Sequence, residues 1–186
     1  MTYIPRKELF DERVLLSEKQ VQGCVRRMGT RLSKDYDGKF PVLVAVLKGG
    51  AVFLIDLVRA MRIPLEIDFM SVSSYGSAMT SSGDVKIIHE IRSSIRGRDV
   101  VVVEGVVDTG LTLRYVLNYL RSKEPRSLEV CTLLDKEPCR QVEIPLAYVG
   151  FKIGRDFVVG YGLDYDEEYR NLPYVAVLDA RKPKEK

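Results

Sequence analysis

The sequence predicts an α/β fold: a mostly parallel, twisted sheet flanked by helices, with a long flexible hairpin loop. Three observations predict it. Two apolar runs, V-L-V-A-V-L at 42–47 and V-V-V-V at 100–103, are continuous rather than alternating, as in strands buried on both faces. Segments with helical spacing fall between such runs, and strands alternating with helices build parallel sheets. The length of 186 residues suits one domain with a sizeable core.

The elements follow in order. Ser17-Glu18-Lys19-Gln20 has the form of a capping box, in which a hydroxyl and an amide satisfy the orphan donors of a helix start. Val21, Cys24, Val25, Met28 and Leu32 then share one face at helical spacing. Gly38 and Pro41 punctuate before the 42–47 strand, and Gly49-Gly50 separates that strand from a helix at 51–61. Residues 65–75 alternate, with Leu65, Ile67 and Phe69 on an apolar side and Glu66 and Asp68 on a polar one, which predicts a half-buried strand. The small, polar stretch G-S-A-M-T-S-S-G-D at 76–84 reads as a mobile loop, and 85–91 as the strand that returns from it. A buried strand at 99–104 precedes an amphipathic helix at 111–123, built on Leu113, Val116, Leu117 and Leu120 and followed by Pro125. Residues 128–134, 147–151, 157–160 and 174–178 complete the strands.

Bulk features exclude several functions. Cys24, Cys131 and Cys139 are far apart and His89 is the only histidine, which leaves no zinc-site spacing and suits a reducing compartment. Residues 1–13 are polar and charged, unlike a signal peptide, and the longest apolar runs are far short of a bilayer span. The reading is a soluble cytoplasmic protein with no membrane partner. Lys plus Arg number 29 and Asp plus Glu 26, a net of +3, well below the basic excess of a duplex-binding protein. The tail at 181–186, R-K-P-K-E-K, holds four cations and one acid and so accounts for that whole excess. No nucleic-acid partner is expected.

The chemistry concentrates in V-V-V-E-G-V-V-D-T-G-L-T at 101–112. A buried strand ends in a carboxylate, and a short loop with Asp108, Thr109, Gly110 and Thr112 leads into a helix. Backbone N–H groups at a helix start, together with hydroxyls, form an anion site, and Gly110 lets the backbone approach a phosphate. Glu104, just before the loop, is placed to accept hydrogen bonds from sugar hydroxyls. The spacing fits neither a Walker loop nor G-x-G-x-x-G. By itself the pattern suits a sugar-phosphate site and an ordinary strand–turn–helix corner equally.

This segment resembles the phosphoribosyl-diphosphate motif of type I phosphoribosyltransferases. Four others resemble the hypoxanthine-guanine branch of that family, in unbroken order from about residue 10 to 178. Leu47-Lys48-Gly49-Gly50 is similar to its pyrophosphate loop, whose first peptide can be cis. Ser73-Ser74-Tyr75-Gly76-Ser77 with Ser81-Ser82-Gly83 is similar to its flexible catalytic loop. Lys136 matches its purine-contacting lysine. F-V-V-G-Y-G-L-D-Y at 157–165 and E-Y-R-N-L at 168–172 are similar to its base-binding hood.

The resemblance implies a single domain over 1–180, its hood built from the N-terminal segment and about 151–178, and a 5-phosphoribosyl transfer to hypoxanthine or guanine. The implied products are IMP or GMP and pyrophosphate, with Mg²⁺ as cofactor and a homodimer or homotetramer as assembly. Asp108 is implied as the acid/base at purine N7, with Ser74 and Tyr75 at the entry of a loop that closes and excludes water. Thr109, Gly110, Leu111 and Thr112 would hold the 5′-phosphate, Leu111 through its backbone alone. Glu104 would bind the ribose hydroxyls and, with Asp164, Mg²⁺. Lys48, Gly49, Gly50 and Arg170 would contact pyrophosphate. Phe157 would stack on the purine, Val158 and Asp164 would read its edge through backbone groups, and Lys136 would donate to O6.

The chain departs from the family at Gly105, where a second acid usually follows the first. A working enzyme relying on Glu104, an impaired variant and a non-enzymatic, RNA-binding nucleotide sensor on the same fold are the three readings this leaves. Gly154 stands where the family often has proline. Xanthine as acceptor is not separated from hypoxanthine and guanine.

Overall fold

The computed structural model describes residues 10–74 and 85–180. Ser17 caps the first helix, α1 (Glu18–Asp35), with both halves of the capping box in place: Gln20 N–H donates to Ser17 Oγ at 3.4 Å, and Ser17 N–H donates to Gln20 Oε1 at 2.9 Å. The predicted face, Val21 to Leu32, is the buried one. A strand precedes this helix, β1 (Phe10–Leu16), which the charged N-terminal sequence does not announce.

The 42–47 run is β2 (Val42–Leu47), followed by α2 (Ala51–Ala60), β3 (Glu66–Ser74), β4 (Val85–His89) and β5 (Asp99–Val107). Then come α3 (Leu111–Arg121), β6 (Ser127–Asp135), a 3-10 turn at Glu137–Cys139, β7 (Tyr148–Lys152), β8 (Val158–Val159) and β9 (Val175–Ala180). Six strands form the main sheet in the order β4-β3-β2-β5-β6-β7, parallel except for β4. β1, β9 and β8 form a second, antiparallel sheet.

Two cores explain the continuous apolar runs. Leu43, Ala45, Val101 and Val103 pack with α1 and α2, whereas Val42, Val44, Val100 and Val102 pack with α3. Adjacent residues of β2 and β5 thus serve opposite faces, and neither face is left to water.

Two expectations need correction. On β3 the polar side is the more buried: Asp68 is 9% exposed and Ile67 39%. The Asp68 carboxylate accepts the N–H groups of Arg92 and Ser93, both at 2.7 Å, and of Phe69. Three donors replace the water it gives up, and they hold its carboxyl below the usual range against the opposing effect of burial. The second correction concerns β5. It does not end at Glu104 but keeps pairing with β6 through Val106↔Leu134 and Val107↔Asp135. Glu104 therefore sits on the strand, and the loop begins at Asp108.

Candidate active site

β2 and β5 are parallel neighbours, so their carboxyl ends open at one edge of the sheet, where open α/β sheets bind ligands. A cleft of about 290 Å³ lies there, with Gly49, Glu104, Asp108, Thr109, Gly110 and Thr112 among its lining. Five of those six come from the 101–112 segment, and Gly49 from the loop after β2.

The side expected to take the phosphate is built from α3. Gly110 is its N-cap at φ 85°, a left-handed conformation that favours glycine, and it offers no side chain to the helix start. Only Thr109 Oγ1 approaches, accepting from Leu111 N–H at 3.4 Å. The first-turn N–H groups remain available to an anion. The loop is braced from behind, where Gln141 N–H donates to Thr109 O at 2.9 Å and Lys136 N–H to Val107 O at 2.9 Å.

The same brace brings together two residues predicted separately. Lys136 is 5% exposed, and its Nζ donates to Asp108 Oδ2 at 3.1 Å. A lysine has three such donors, so this bond leaves others for a carbonyl.

Glu104 has a different setting. Among the described residues, the ion pairs of the site join Lys136 to Asp108, Arg170 to Asp164, and both Lys48 and Arg170 to Glu167; none of these includes Glu104. Burial without a counter-charge pushes its carboxyl up to about 8, opposed only by a backbone hydrogen bond at Gly105.

The loop after β2 is the one expected to meet pyrophosphate, and its Leu47–Lys48 peptide is cis. The N–H of Gly50, expected among the pyrophosphate donors, is instead donated to Val46 O at 3.0 Å. Three glycines bring this loop, β5 and the segment after β8 to one point. A Cβ on Gly105 would stand 2.7 Å from Gly49 O and 3.1 Å from Leu163 Cδ2, and a Cβ on Gly162 would stand 2.7 Å from that same oxygen. The place of the motif's second acid is thus filled by backbone.

Arg170 Nη1 lies 2.8 Å from Asp164 Oδ1 and 2.9 Å from Gly162 O. Glu167, to which the sequence analysis assigns no role, ties both sides of this cluster. Its Oε2 is 2.8 Å from Lys48 Nζ and 3.3 Å from Arg170 Nη2, while its N–H donates to Asp164 Oδ2 at 3.0 Å. Sequence spacing carries no signal for that link.

Phe157 and Val158 lie outside the cleft lining. Phe157 is 50% exposed, with its ring edge-on to Tyr165 at 5.8 Å, and Val158 is buried and paired with Val177. Ser74 ends β3, and Tyr75 with the 76–84 loop lies outside the described residues.

The donor set fits magnesium. Glu104 offers a carboxyl oxygen in the cleft that no cation among the described residues pairs with, and Asp164 offers a carboxylate that is shared with Arg170. Among the described residues no group of three or more potential ligands surrounds one point, so substrate and water oxygens would have to complete the shell of this hard ion.

The model of the phosphoribosyl transferase domain family matches residues 15–166. The hypoxanthine-guanine phosphoribosyltransferase of Bacillus subtilis is 46% identical over 167 residues, covering 90% of this chain and 93% of its own. The crystal structure of a hypoxanthine phosphoribosyltransferase from Staphylococcus aureus superposes with a TM-score of 0.88 at 45% identity, covering 96% of each chain. The bifunctional protein TilS/HprT of Listeria monocytogenes is 47% identical over 167 residues, and the chain spans only 26% of that relative's length.

Proposed function

This chain belongs to the hypoxanthine-guanine phosphoribosyltransferase family, enzymes of purine salvage, and we propose that it carries out their reaction at the cleft. The purine nitrogen bonds to the ribose carbon of 5-phosphoribosyl 1-diphosphate as the carbon–oxygen bond to pyrophosphate breaks, giving IMP or GMP. Positive charge develops on the sugar, and a proton must leave the base.

The observation that carries this reading is the meeting, at one sheet edge, of an uncapped helix start, an unpaired carboxylate and the Asp108–Lys136 pair. The α3 N–H groups and the Thr109 and Thr112 hydroxyls hold the 5′-phosphate. Glu104 accepts from the ribose hydroxyls. Asp108 takes the proton at N7, and Lys136 donates to O6 of the base, which leaves a 6-amino purine mismatched. Lys48 and Arg170 receive the departing pyrophosphate. Phe157 stacks on the base in a hood formed by the β1-β9-β8 sheet and the segment after β8. Glu104 and Asp164 would hold magnesium, which would neutralise part of the diphosphate charge.

The setting is cytoplasmic, in keeping with three free cysteines, and the assembly a homodimer or homotetramer. Among the described residues no helix is long and apolar enough to cross a membrane. Hypoxanthine-guanine relatives argue against the RNA-binding alternative.

The test is turnover with Mg²⁺, 5-phosphoribosyl 1-diphosphate and hypoxanthine, guanine or xanthine in turn. Nucleotide is expected from the first two. No nucleotide from any 6-oxopurine overturns the proposal.

A further inference from the structure

Glu167 places one carboxylate oxygen against both cations assigned above to pyrophosphate. Oε2 lies 2.8 Å from Lys48 Nζ and 3.3 Å from Arg170 Nη2. An oxygen between an ammonium and a guanidinium stands where an oxygen of a bound anion would stand. The main chain of Glu167 is anchored through its N–H to Asp164, whereas its side chain is 64% exposed. Exposed pairs of this kind contribute little, so another anion can displace the carboxylate.

We propose that Glu167 is a built-in competitor of pyrophosphate: its carboxylate occupies Lys48 and Arg170 in the ligand-free chain and leaves them when the diphosphate binds. The inference rests on the phosphoribosyl-transfer reading. Glu167 then acts on the reaction through two other residues and touches no reacting atom. Its return to the two cations follows the loss of pyrophosphate and opposes rebinding of that product.

The sign of the effect distinguishes competition from support. Glu167→Gln removes a negative charge from an anion subsite and keeps the side chain's size. Titration calorimetry with magnesium pyrophosphate should show about three- to tenfold tighter binding than the unaltered chain, with the gain shrinking as salt rises. The KM for 5-phosphoribosyl 1-diphosphate should fall while that for the purine stays. In a Lys48→Gln background most of the gain should vanish, because the competition runs largely through that ammonium. Glu168→Gln controls for net charge and should give the smaller change.

Unchanged or weaker pyrophosphate binding by Glu167→Gln, in a chain that turns over hypoxanthine, overturns this inference alone. So does an equal gain from Glu168→Gln. A chain that neither turns over a 6-oxopurine nor binds magnesium pyrophosphate overturns the proposed function, and this inference with it.

Discussion

Each side of the cleft is organised around a lysine that meets a carboxylate, and the two sides differ in burial. On the β5 side, Lys136 is 5% exposed and reaches Asp108 at 3.1 Å. On the β2 side, Lys48 and Glu167 are closer, at 2.8 Å, but both side chains are 64% exposed. The two pairs differ at the lysine, since the Asp108 side chain is itself 48% exposed. Water and salt screen an exposed pair to about 0–1 kcal/mol, whereas a buried ammonium that loses its carboxylate is left with an unmet charge. Distance alone therefore does not rank these contacts, and burial of the lysine separates them by what they can do. In the proposed reaction the buried lysine would read a neutral carbonyl, and the exposed one would be an exchangeable clamp for a mobile anion.

The contrast can be broken from the buried side first. Asp108→Asn should lower kcat by about 10²–10⁴-fold, the range of a lost general acid/base, with the fold intact by circular dichroism. Lys136→Ala should come next, lowering kcat/KM for hypoxanthine by about ten- to a hundredfold, as for a lost charged hydrogen bond of about 1.5–3 kcal/mol. Its base KM should rise more than that for 5-phosphoribosyl 1-diphosphate; an equal rise in both would argue against a role confined to the purine.

Glu104 sharpens the contrast from a third position, half-buried and outside the ion pairs of the described residues. Its folded-state value of about 8 lies above the ordinary 4.5, so the folded, metal-free chain keeps a proton that the unfolded chain releases. The stability this contributes is full below about pH 4.5 and is lost as pH rises through about 8. Urea unfolding in metal-free buffer should show a loss on the order of 2–4 kcal/mol between about pH 5 and pH 9, which Glu104→Gln should flatten. A slope that survives the substitution would place its source elsewhere. The smallest effect belongs to the exposed side. Lys48→Ala should raise the KM for 5-phosphoribosyl 1-diphosphate by no more than about tenfold, with little change in unfolding midpoint.

The fold was legible where its causes are local. The valine runs of β2 and β5 announce burial on both faces, and Ser17 with Gln20 announces the start of α1 because the cap closes over three residues. The turn from β5 into α3 was legible for the same reason, since strand, loop and helix start are consecutive, although the strand runs on to Val107. What remained hidden depends on partners far along the chain. β1 exists because β9 offers an edge, and nothing within Phe10–Leu16 says so. Asp68 turns inward because donors arrive from positions 24 and 25 residues away. Lys136 meets Asp108 across 28 residues, and Glu167 meets Lys48 across 119. Family resemblance named most of these residues, but it did not say which would touch.

The Gly49 carbonyl sits between Gly105 and Gly162, and that shapes how the site can be re-engineered. A side chain at 105 meets main-chain atoms 2.7 Å away, as well as Leu163, so it cannot be accommodated by turning a neighbouring rotamer. Restoring the second acid by Gly105→Asp alone asks one position to undo what four positions share. A library randomised at 105 should return mostly glycine. One that varies 49, 105, 162 and 163 together searches the combinations in which an acid has room. Mutational tolerance here belongs to the cluster, and its members must be changed in concert.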